Sequence, residues 1–454
     1  MTMQIITLEK LQAKDKILAS GQILDLFNTT NISHDWSFEG TTPSQTSKLT
    51  HCYHRYPAKF IPQLVEKLMD EYLIGFGPFH VNDLFMGSGT TLASAIARGY
   101  FASGTDINYS AELIAKAKCT PIEPTLLKNK VGKFIDNLSF LEDKTLFTSR
   151  KYKPQIPKAK IERIEYWFEP KTIEELGIIL SRINHEKDES VKIFLKCCFS
   201  HILKTCSRWL MSSTKPTIDK SKKITRPLYA FKKHVKKMVK GNELFWSVVP
   251  EDVKRNLNKY LIIKRQDARR QPVKDNTIDI QITSSPYVTS YEYADLHQLT
   301  TIWLEPKVDL KEYKKQFIGT SAKTNGTRIL KSQIGKDIEN KLQKVDKKMA
   351  DEVEAFFVDM QECFDETRRI LKDGGRCCYV IGNTKLKGVD ILNAEVFAES
   401  MQYSGLKIDR IIKREIPSKI LPSKRDAKTG RFAANENADT FAYPTEYIVI
   451  GRKI

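Results

Sequence analysis

The stretch that decides the fold is residues 83–91, which read Asp-Leu-Phe-Met-Gly-Ser-Gly-Thr-Thr. Residues 81–85 predict a short strand, and the segment from Thr90 to Arg98 predicts a helix that ends at Gly99. Glycines between a strand and a helix let the backbone approach a ligand closely, and the first N–H groups of the helix can bind a carboxylate or a phosphate. The stretch therefore predicts the ligand-binding turn of an α/β domain.

The turn alone does not identify its ligand, but the residues around it narrow the choice of ligand. The third glycine of the dinucleotide fingerprint is missing and no Gly-Lys-Ser/Thr follows, which argues against NAD and ATP. The run 101–105 predicts the next strand, and Asp106 directly after it lies nineteen residues beyond Gly87. An acid at this place can accept hydrogen bonds from both hydroxyls of a ribose. A capping role for Asp106 is the alternative, and the nearby glycine turn favours the ribose role.

Patterns around the turn divide the 454 residues into four parts. Residues 1–45 form an N-terminal arm, and residues 46–119 hold the turn and begin a doubly wound sheet. Residues 120–255 break the alternation of strands and helices and predict a mainly helical insertion that interrupts one domain. The alternation resumes over residues 256–454, with a charged loop predicted over 305–350.

Single elements within these parts can also be predicted. In the insertion, Thr172 and Glu175 match a capping box ahead of an apolar helix, and residues 191–203 predict a buried helix. A later amphipathic helix has an apolar face from Val353 to Leu371 and is expected to end at Gly374-Gly375. Strands are predicted at 260–263, 278–283, 377–381, 406–412 and 447–450.

The charge of the chain favours a polyanionic partner. Lys and Arg number 74 against 55 Asp and Glu, a net charge of +19. Between His201 and Lys240 twelve Lys or Arg stand against one acid, Asp219. Such one-sided stretches are typical of surfaces that face phosphates, although a solvated helix face is the alternative. We predict that four lysines of the insertion contact phosphates: Lys232, Lys233, Lys236 and Lys237.

Several classes of protein are not expected. The sequence contains no run of about 18 apolar residues that could span a membrane, and its N-terminus lacks the pattern of a signal peptide. The eight cysteines form no CxxC pair, so we expect reduced thiols and no metal site. These features predict a cytoplasmic protein without a membrane partner.

A second motif follows the apolar strand predicted at 278–283. It reads Thr-Ser-Ser-Pro-Tyr over residues 283–287, with Tyr291 and Tyr293 shortly after. Proline holds the backbone in one orientation, and a tyrosine beside it offers a flat stacking face. Taken alone, the motif could be an ordinary turn.

Together the motifs resemble those of the DNA amino-methyltransferases, the N4-cytosine and N6-adenine enzymes of restriction-modification systems. Residues 83–91 resemble the cofactor motif of this family, Asp106 its ribose-binding acid, and residues 284–287 its catalytic Ser-Pro-Pro-Tyr. Residues 54–60 resemble the segment at the methionine end of the cofactor pocket, and residues 267–269 the segment at the adenine end. The resemblance covers about 250 residues outside the arm, the insertion and the charged loop.

The resemblance implies a fold, a cofactor and a set of site residues. The fold is a Rossmann-like, doubly wound α/β sheet, mostly parallel with one antiparallel strand, and the cofactor is S-adenosylmethionine. The implied catalytic residues are Ser284, Ser285, Pro286 and Tyr287. The implied cofactor-binding residues are Tyr56, Pro57, Lys59, Phe60, Asp83, Phe85, Gly87, Ser88, Gly89, Thr90, Thr91, Asp106, Asn108, Asp267 and Ala268.

The implied reaction is methyl transfer to an exocyclic amino group of a flipped-out base in double-stranded DNA. Serine at position 284 is typical of N4-cytosine members, which makes cytosine the favoured base. N6-adenine, an RNA guanine amino group and an inactive DNA-binding scaffold are the alternatives. Leu84 and Ser285 replace prolines of the family motifs, and Ser285 is the departure that bears on activity. No Pro-Cys occurs, which excludes carbon-5 cytosine methylation, and a cognate restriction endonuclease is a further expected partner.

Overall fold

The computed structural model describes residues 17–56, 60–75, 77–141, 153–213, 215–288, 293–320, 328–416 and 445–454, and the backbone of 424–425 and 440–441. A seven-stranded sheet forms its centre. The strands are β1 (His80–Asp83), β2 (Phe101–Asp106), β3 (Leu261–Arg265), β4 (Ile278–Ser284), β5 (Leu371–Ile381), β6 (Leu406–Glu415) and β7 (Thr445–Lys453).

The order of the strands across the sheet is β3-β2-β1-β4-β5-β7-β6. The pairs from β3 to β5 are parallel, whereas β7 runs antiparallel to both of its neighbours. This confirms the predicted doubly wound sheet with one antiparallel strand. The chain changes its winding direction between β1 and β4, where Val81 pairs with Ile280. Ligands of open α/β sheets bind at such a switch point, beyond the carboxyl ends of the strands.

Helices cover both faces of the sheet. The longer ones are α1 (Ser20–Thr29), α2 (Pro62–Tyr72), α3 (Thr90–Ala97), α4 (Tyr109–Cys119), α5 (Pro124–Asp136), α6 (Ile161–Trp167), α7 (Pro170–Asn184), α8 (Glu189–Leu203), α9 (Pro227–Val248), α10 (Gln298–Leu304), α11 (Gln333–Gln343), α12 (Lys347–Ile370) and α13 (Asn393–Tyr403). Shorter helices are Pro43–Thr46, Glu251–Arg255, Leu257–Tyr260, Tyr293–Leu296 and Leu310–Lys314. Within the described residues, no helix is both long enough and apolar enough to cross a membrane.

The turn between β1 and α3 has the conformation that its glycines allow. Gly87 and Gly89 have φ angles of +45° and +70°, in the left-handed region that side chains rarely adopt. A Cβ atom at Gly89 would lie 2.8 Å from the Cβ of Ala115 on α4. The turn therefore needs glycine at position 89 both for its backbone and for the close packing of α4.

Residues 17–56 pack on the sheet domain. Helix α1 contributes Ile23 and Phe27 to the core. Ile32 forms a parallel bridge with Lys413 on β6, and the Ser33 N–H donates to the Lys413 carbonyl at 2.7 Å. The predicted N-terminal arm therefore covers the edge strand of the sheet over its described part.

The insertion is helical, from α5 to α9, and lies between α4 and β3. Helix α8 is buried, as predicted, and packs on α4 and α9. The predicted capping box is wrong, because α7 already begins at Pro170 and Thr172 lies inside its first turn. Proline is favoured at the first helical position, so the helix starts at Pro170, two residues before Thr172. Glu175 instead accepts from the backbone N–H of Leu228 on α9 at 2.8 Å.

Two predictions in the last part of the chain need correction. The charged stretch 305–350 is not a loop over its described part, since it contains Leu310–Lys314 and α11. Buried Ile334, Ile338 and Leu342 recur at helical spacing among its charges. Helix α12 ends at Ile370 and β5 follows at once, so that Gly374 and Gly375 lie within a strand rather than ending a helix.

Candidate cofactor and catalytic site

A cleft opens beyond the carboxyl ends of β1, β2 and β4. It encloses about 850 Å³ of space, part of it open to solvent. The predicted site residues in its lining are Tyr56, Phe60, Asp83, Phe85, Gly87, Ser88, Thr90, Asp106, Asp267, Ala268, Ser284 and Pro286. The lining also includes Leu84, Met86, Ile107, Tyr293, Gln316, Phe317 and Ile318, to which no role was assigned from the sequence.

The other predicted site residues lie around the cleft or outside the described chain. Gly89, Thr91 and Asn108 are part of the supporting structure: Thr91 donates to the Ile282 carbonyl at 3.3 Å, and Asn108 caps α4. Ser285 and Tyr287 are absent from the cleft lining. Pro57 and Lys59 lie outside the described residues.

Asp83 joins the ends of β1 and β4. Its Oδ1 accepts from the Thr283 hydroxyl at 2.7 Å and from the Phe85 N–H at 3.1 Å. Burial raises the pKa of the Asp83 carboxyl to about 6, although these hydrogen bonds oppose the shift. The carboxylate thereby ties the glycine turn to the strand that carries the second motif.

Asp106 joins the end of β2 to the glycine turn. Its Oδ2 accepts from the Gly87 N–H at 3.0 Å, and its Oδ1 accepts from the Asn108 N–H at 2.8 Å. Burial raises the pKa of Asp106 to about 7 against these two hydrogen bonds. The structure therefore brings together the two features whose pairing predicts a ribose site, the glycine turn and the acid.

Tyr56 forms one wall of the cleft over the turn. A Cβ atom at Gly87 would lie 3.0 Å from Cε1 of Tyr56. The other side of Tyr56 stacks on His297 from α10, with ring centroids 4.8 Å apart and planes at 26°. His297 has no local signal in the sequence, since α10 follows the catalytic motif by more than ten residues. Only the fold brings it to the cleft.

Asp267 lies at the edge of the cleft and is held by Arg269. The Asp267 Oδ2 accepts from Nη2 of Arg269 at 2.6 Å, and Oδ1 accepts from Nε at 2.9 Å. Arg269 also contacts Asp359 of α12 at 2.7 Å. A bidentate pair of this kind fixes the direction of the carboxylate. Sequence reasoning identified Asp267 but not its dependence on Asp359.

The residues of the catalytic motif point in different directions. Ser284 and Pro286 line the cleft, whereas the Ser285 side chain is buried and its hydroxyl has no hydrogen-bond partner among the described residues. Side chains alternate between the two faces of an extended chain. Ser285 therefore replaces the family proline at a position turned away from the cleft.

The hydroxyl of Tyr287 is fixed by a buried network. It donates to Oε1 of Glu446 on β7 at 2.8 Å. The other oxygen of Glu446 accepts from Nε and Nη2 of Arg414 on β6 at 3.0 and 2.7 Å. Arg414 also donates to the Trp36 carbonyl at 3.0 Å. The ring of Tyr287 is thus held from the antiparallel side of the sheet.

The four predicted phosphate-binding lysines lie on α9. Lys233, Lys236 and Lys237 are exposed and Lys232 is half-buried. The opposite side of the helix buries Phe231, Val235 and Met238 in the insertion core. The helix therefore presents these lysines on its outer side, which fits either a phosphate contact or a solvated face.

The cleft fits S-adenosylmethionine, the cofactor that the resemblance of the motifs implies. Asp106 can accept hydrogen bonds from ribose hydroxyls. Gly87 has no Cβ atom, which leaves space for a ligand beneath Tyr56. Ile107 and Phe317 add an apolar wall suited to an adenine ring. A cofactor in this place would lie against Ser284, which lines the same cleft.

Two sequence relatives of the chain are type II methyltransferases. The chain is 29% identical over 439 residues to the type II methyltransferase M.MvaI of Kocuria varians, covering 92% of this chain and 95% of the relative. It is 25% identical to the type II methyltransferase M.MjaII of Methanocaldococcus jannaschii, over 64% of this chain and 69% of the relative. A solved geranyl diphosphate methyltransferase shares 8% identity over 87% of this chain and 79% of its own, with a TM-score of 0.32. No family model matches the chain.

The sheet, the glycine turn and the cleft define a methyltransferase with a Rossmann-like fold. The similarity to M.MvaI over nearly the whole chain confirms the resemblance predicted from the motifs, to the type II methyltransferases of restriction-modification systems.

Proposed function

We propose that the protein is a site-specific DNA methyltransferase that transfers a methyl group from S-adenosylmethionine to the N4 amino group of a flipped-out cytosine. The observation that carries the proposal is that Ser284 lines the same cleft as Asp106 and the glycine turn. A base that enters this cleft would meet Ser284 and the cofactor together. The relatives' type II methyltransferase activity supports DNA as the substrate.

The residues of the cleft would act mainly by positioning. S-adenosylmethionine supplies an electrophilic methyl group on a sulfonium. The amino nitrogen of cytosine is conjugated with the ring and is a poor nucleophile. The Ser284 hydroxyl and a nearby main-chain carbonyl can accept hydrogen bonds from its two N–H groups and draw the nitrogen towards tetrahedral geometry, which directs the lone pair at the methyl group. The nitrogen would gain the methyl group as the S–C bond to the sulfonium breaks, and would then release one proton to solvent. Such preorganised acceptors lower the barrier without a covalent intermediate.

Cytosine is favoured over adenine by the residue at position 284. Serine there is typical of the N4-cytosine members that the motif resembles. An inactive scaffold is disfavoured because Ser285 is turned away from the cleft, so that its replacement of proline leaves the lining residues Ser284 and Pro286 in place. A cognate restriction endonuclease and a cytoplasmic location stay predictions.

One experiment tests the proposal against its alternatives. The purified protein is incubated with labelled S-adenosylmethionine and either duplex DNA or RNA. The nucleic acid is then digested, and the modified nucleoside is identified by mass spectrometry. We expect N4-methylcytosine from DNA. N6-methyladenine would change the base, a methylated guanine from RNA alone would change the substrate, and no product would favour a scaffold.

Cofactor binding should depend on Gly87 and Asp106. We expect Gly87→Val to abolish measurable binding, because the new side chain meets Tyr56 and the backbone has a positive φ. Asp106→Ala should weaken binding by about 10- to 100-fold, since hydrogen bonds to a charged acceptor are worth about 1.5–3 kcal/mol. Calorimetric titration with S-adenosylmethionine measures both. Wild-type affinity in both variants would mean that the cofactor lies elsewhere.

The raised pKa of Asp106 adds a pH dependence to the same measurement. Ribose hydroxyls donate to the ionised carboxylate, so binding should strengthen as pH rises through about 7 and level off above it. Below that pH the affinity should fall by up to about tenfold per pH unit. Asp106→Asn is the matched control, since it cannot ionise and should not show this pH dependence. A flat wild-type profile would contradict the ribose role.

We further propose that the insertion, residues 120–255, recognises the target sequence and that the lysines of α9 contact phosphates. Replacing Lys232, Lys233, Lys236 and Lys237 by alanine should weaken binding to all DNA sequences alike. The slope of log K against log salt should flatten by about 0.9 for each phosphate that a lysine no longer neutralises. Fluorescence anisotropy with duplex DNA over a range of salt concentrations measures this. An unchanged slope would identify the lysines as a solvated helix face.

A further inference from the structure

Histidines from separate segments meet where the insertion joins the sheet domain. His201 of α8 stacks on His234 of α9, with ring centroids 3.5 Å apart and planes at 5°. His54 packs edge-on against His201 at 5.3 Å, and its Nε2 lies 3.0 Å from the Ser200 hydroxyl. His234 Nε2 lies 2.7 Å from the Tyr53 carbonyl. Burial lowers the pKa of all three, so that they are neutral at pH 7.

Cationic side chains lie close to these neutral rings, since the charges of Arg55 and Lys237 act on both His201 and His234. Arg55 follows His54 directly, and Lys204 and Lys237 each stand three residues after a histidine of the stack. Nζ of Lys222 donates to the Lys204 carbonyl at 2.7 Å and to the Trp209 carbonyl at 2.8 Å. We call these four residues, Arg55, Lys204, Lys222 and Lys237, the basic cluster.

The positive charges of the basic cluster act on one another. Burial, and after it the charge of Arg55, lowers the pKa of Lys204. Burial lowers the pKa of Lys222 to about 8; the charges of Lys204 and Arg55 add to this shift, whereas Cys206 and Asp219 oppose it. None of the four forms a salt bridge among the residues that the structure describes. A bound anion would relieve this repulsion.

The basic cluster is close to the cleft. Arg55 precedes Tyr56, the cleft wall that covers Gly87, and consecutive Cα atoms are about 3.8 Å apart. Tyr56 also stacks on His297, whose pKa is lowered by burial and next by the nearby His54. The charge of Lys204 also acts on His297, so an anion held between Arg55 and Lys204 would lie on the side of the cleft that Tyr56 forms.

We propose that the basic cluster binds the backbone phosphates on either side of the flipped-out nucleotide. This inference rests on the proposed function and names the residues that would bind the DNA backbone at the target nucleotide. The lysines of α9 would hold the duplex in general, whereas the basic cluster would hold the nucleotide that carries the target base. Lys237 belongs to both sets and links them. Extruding a base turns its flanking phosphates out of the regular duplex path, and cations at the entrance to the cleft stabilise that state.

Arg55 and Lys237 are the most informative positions to replace, because they are exposed and, within the part of the chain that the structure describes, their side chains donate no hydrogen bond to a carbonyl as those of Lys204 and Lys222 do. We compare Arg55→Gln, Lys237→Gln and their combination with Lys341→Gln, an exposed lysine of α11 outside the insertion. Lys204→Met is a second test from within the insertion. Circular dichroism and S-adenosylmethionine titration check that each variant keeps its fold and its cofactor site.

Two measurements are made on each variant: the salt dependence of binding to a mixed-sequence duplex, and the rate of methyl transfer to plasmid DNA. The double variant should flatten the salt slope by about 1.8, two phosphates at about 0.9 each. It should also lower the transfer rate at saturating DNA by about tenfold, whereas Lys341→Gln should match wild type in both. An unchanged slope, or a flattened slope with an unchanged rate at saturating DNA, would overturn the inference, the second by assigning the residues to general binding.

Identifying the product of the wild-type reaction distinguishes failure of this inference from failure of the proposed function. If the wild-type protein methylates no base in DNA, the proposed function fails, and the inference that rests on it fails with it. If it methylates DNA and the double variant does so equally fast, the proposed function stands and the basic cluster alone is rejected.

Discussion

Replacing Ser284 by alanine should lower the rate of methyl transfer by about a hundredfold or more, while the affinities for S-adenosylmethionine and DNA stay nearly unchanged. Ser284 lines the cleft, and under the proposed function its hydroxyl accepts a hydrogen bond from the target amine. That hydrogen bond strengthens as the nitrogen becomes tetrahedral, so its loss falls on the transition state and not on the ground state. Removal of one preorganised hydrogen bond of this kind typically costs about 10²–10³ in rate, roughly 3–4 kcal/mol.

Single-turnover kinetics with saturating cofactor and DNA measures the effect, and Ser285→Ala is its natural comparison. Ser285 is the neighbouring serine, but it is buried outside the cleft, and its hydroxyl has no partner among the described residues. A buried hydroxyl without a partner costs about 1–3 kcal/mol, so Ser285→Ala should transfer methyl at the wild-type rate and unfold no more readily. If Ser285→Ala transfers methyl slowly and Ser284→Ala transfers it at the wild-type rate, then Ser285 and not Ser284 assists the reaction.

The fold could be predicted from the sequence because its signals are local. The glycine turn, the acid after β2 and the apolar strands each occupy a few consecutive residues, and the order in which they occur implies a doubly wound sheet. The structure confirms that sheet, including its antiparallel β7. It also gathers Asp83, Asp106 and Ser284 into one cleft, because the carboxyl ends of neighbouring parallel strands meet at one edge.

The errors arose where local signals compete. A capping box at Thr172 was outweighed by Pro170, which begins α7 two residues earlier. The stretch 305–350 has so many charges that the buried positions of α11 do not stand out. Gly374-Gly375 looks like the end of a helix, yet α12 has already ended at Ile370 and the pair lies within β5. Packing against the rest of the domain decided the outcome for α11, whereas a stronger local signal decided the start of α7.

The supporting contacts of the site could not be predicted, because their partners are far apart in the chain. His297 stacks on Tyr56 across some 240 residues, and Asp359 holds Arg269 from α12. A single sequence has no pattern that pairs such positions. These contacts nonetheless decide how firmly the cleft residues are held, since each fixes a side chain identified by its motif.

Tyr287 shows how such a distant contact bears on function. Replacing it by alanine or by phenylalanine should separate the effect of its ring from the effect of its hydrogen bond to Glu446. Tyr287→Ala removes the ring that we expect to stack on the extruded base. Stacking is worth about 1–3 kcal/mol per base, so capture of the base should weaken by about 10- to 100-fold. Tyr287→Phe keeps the ring and loses the hydrogen bond from its hydroxyl to Glu446, which leaves the Glu446–Arg414 pair intact.

A fluorescent base analogue at the target position reports extrusion for both variants, once the recognition sequence is known. We expect strong loss of the signal in Tyr287→Ala and partial loss in Tyr287→Phe, because a ring without its anchor can still stack but is less well oriented. Asp409→Asn serves as the control, since Asp409 lies on β6 like Arg414 but pairs with Arg376 instead of the network around Tyr287. Wild-type extrusion in Tyr287→Ala would remove the ring from base capture. Wild-type extrusion in Tyr287→Phe alone would show that stacking needs no anchor, and Glu446 and Arg414 would then serve only to join β6 to β7.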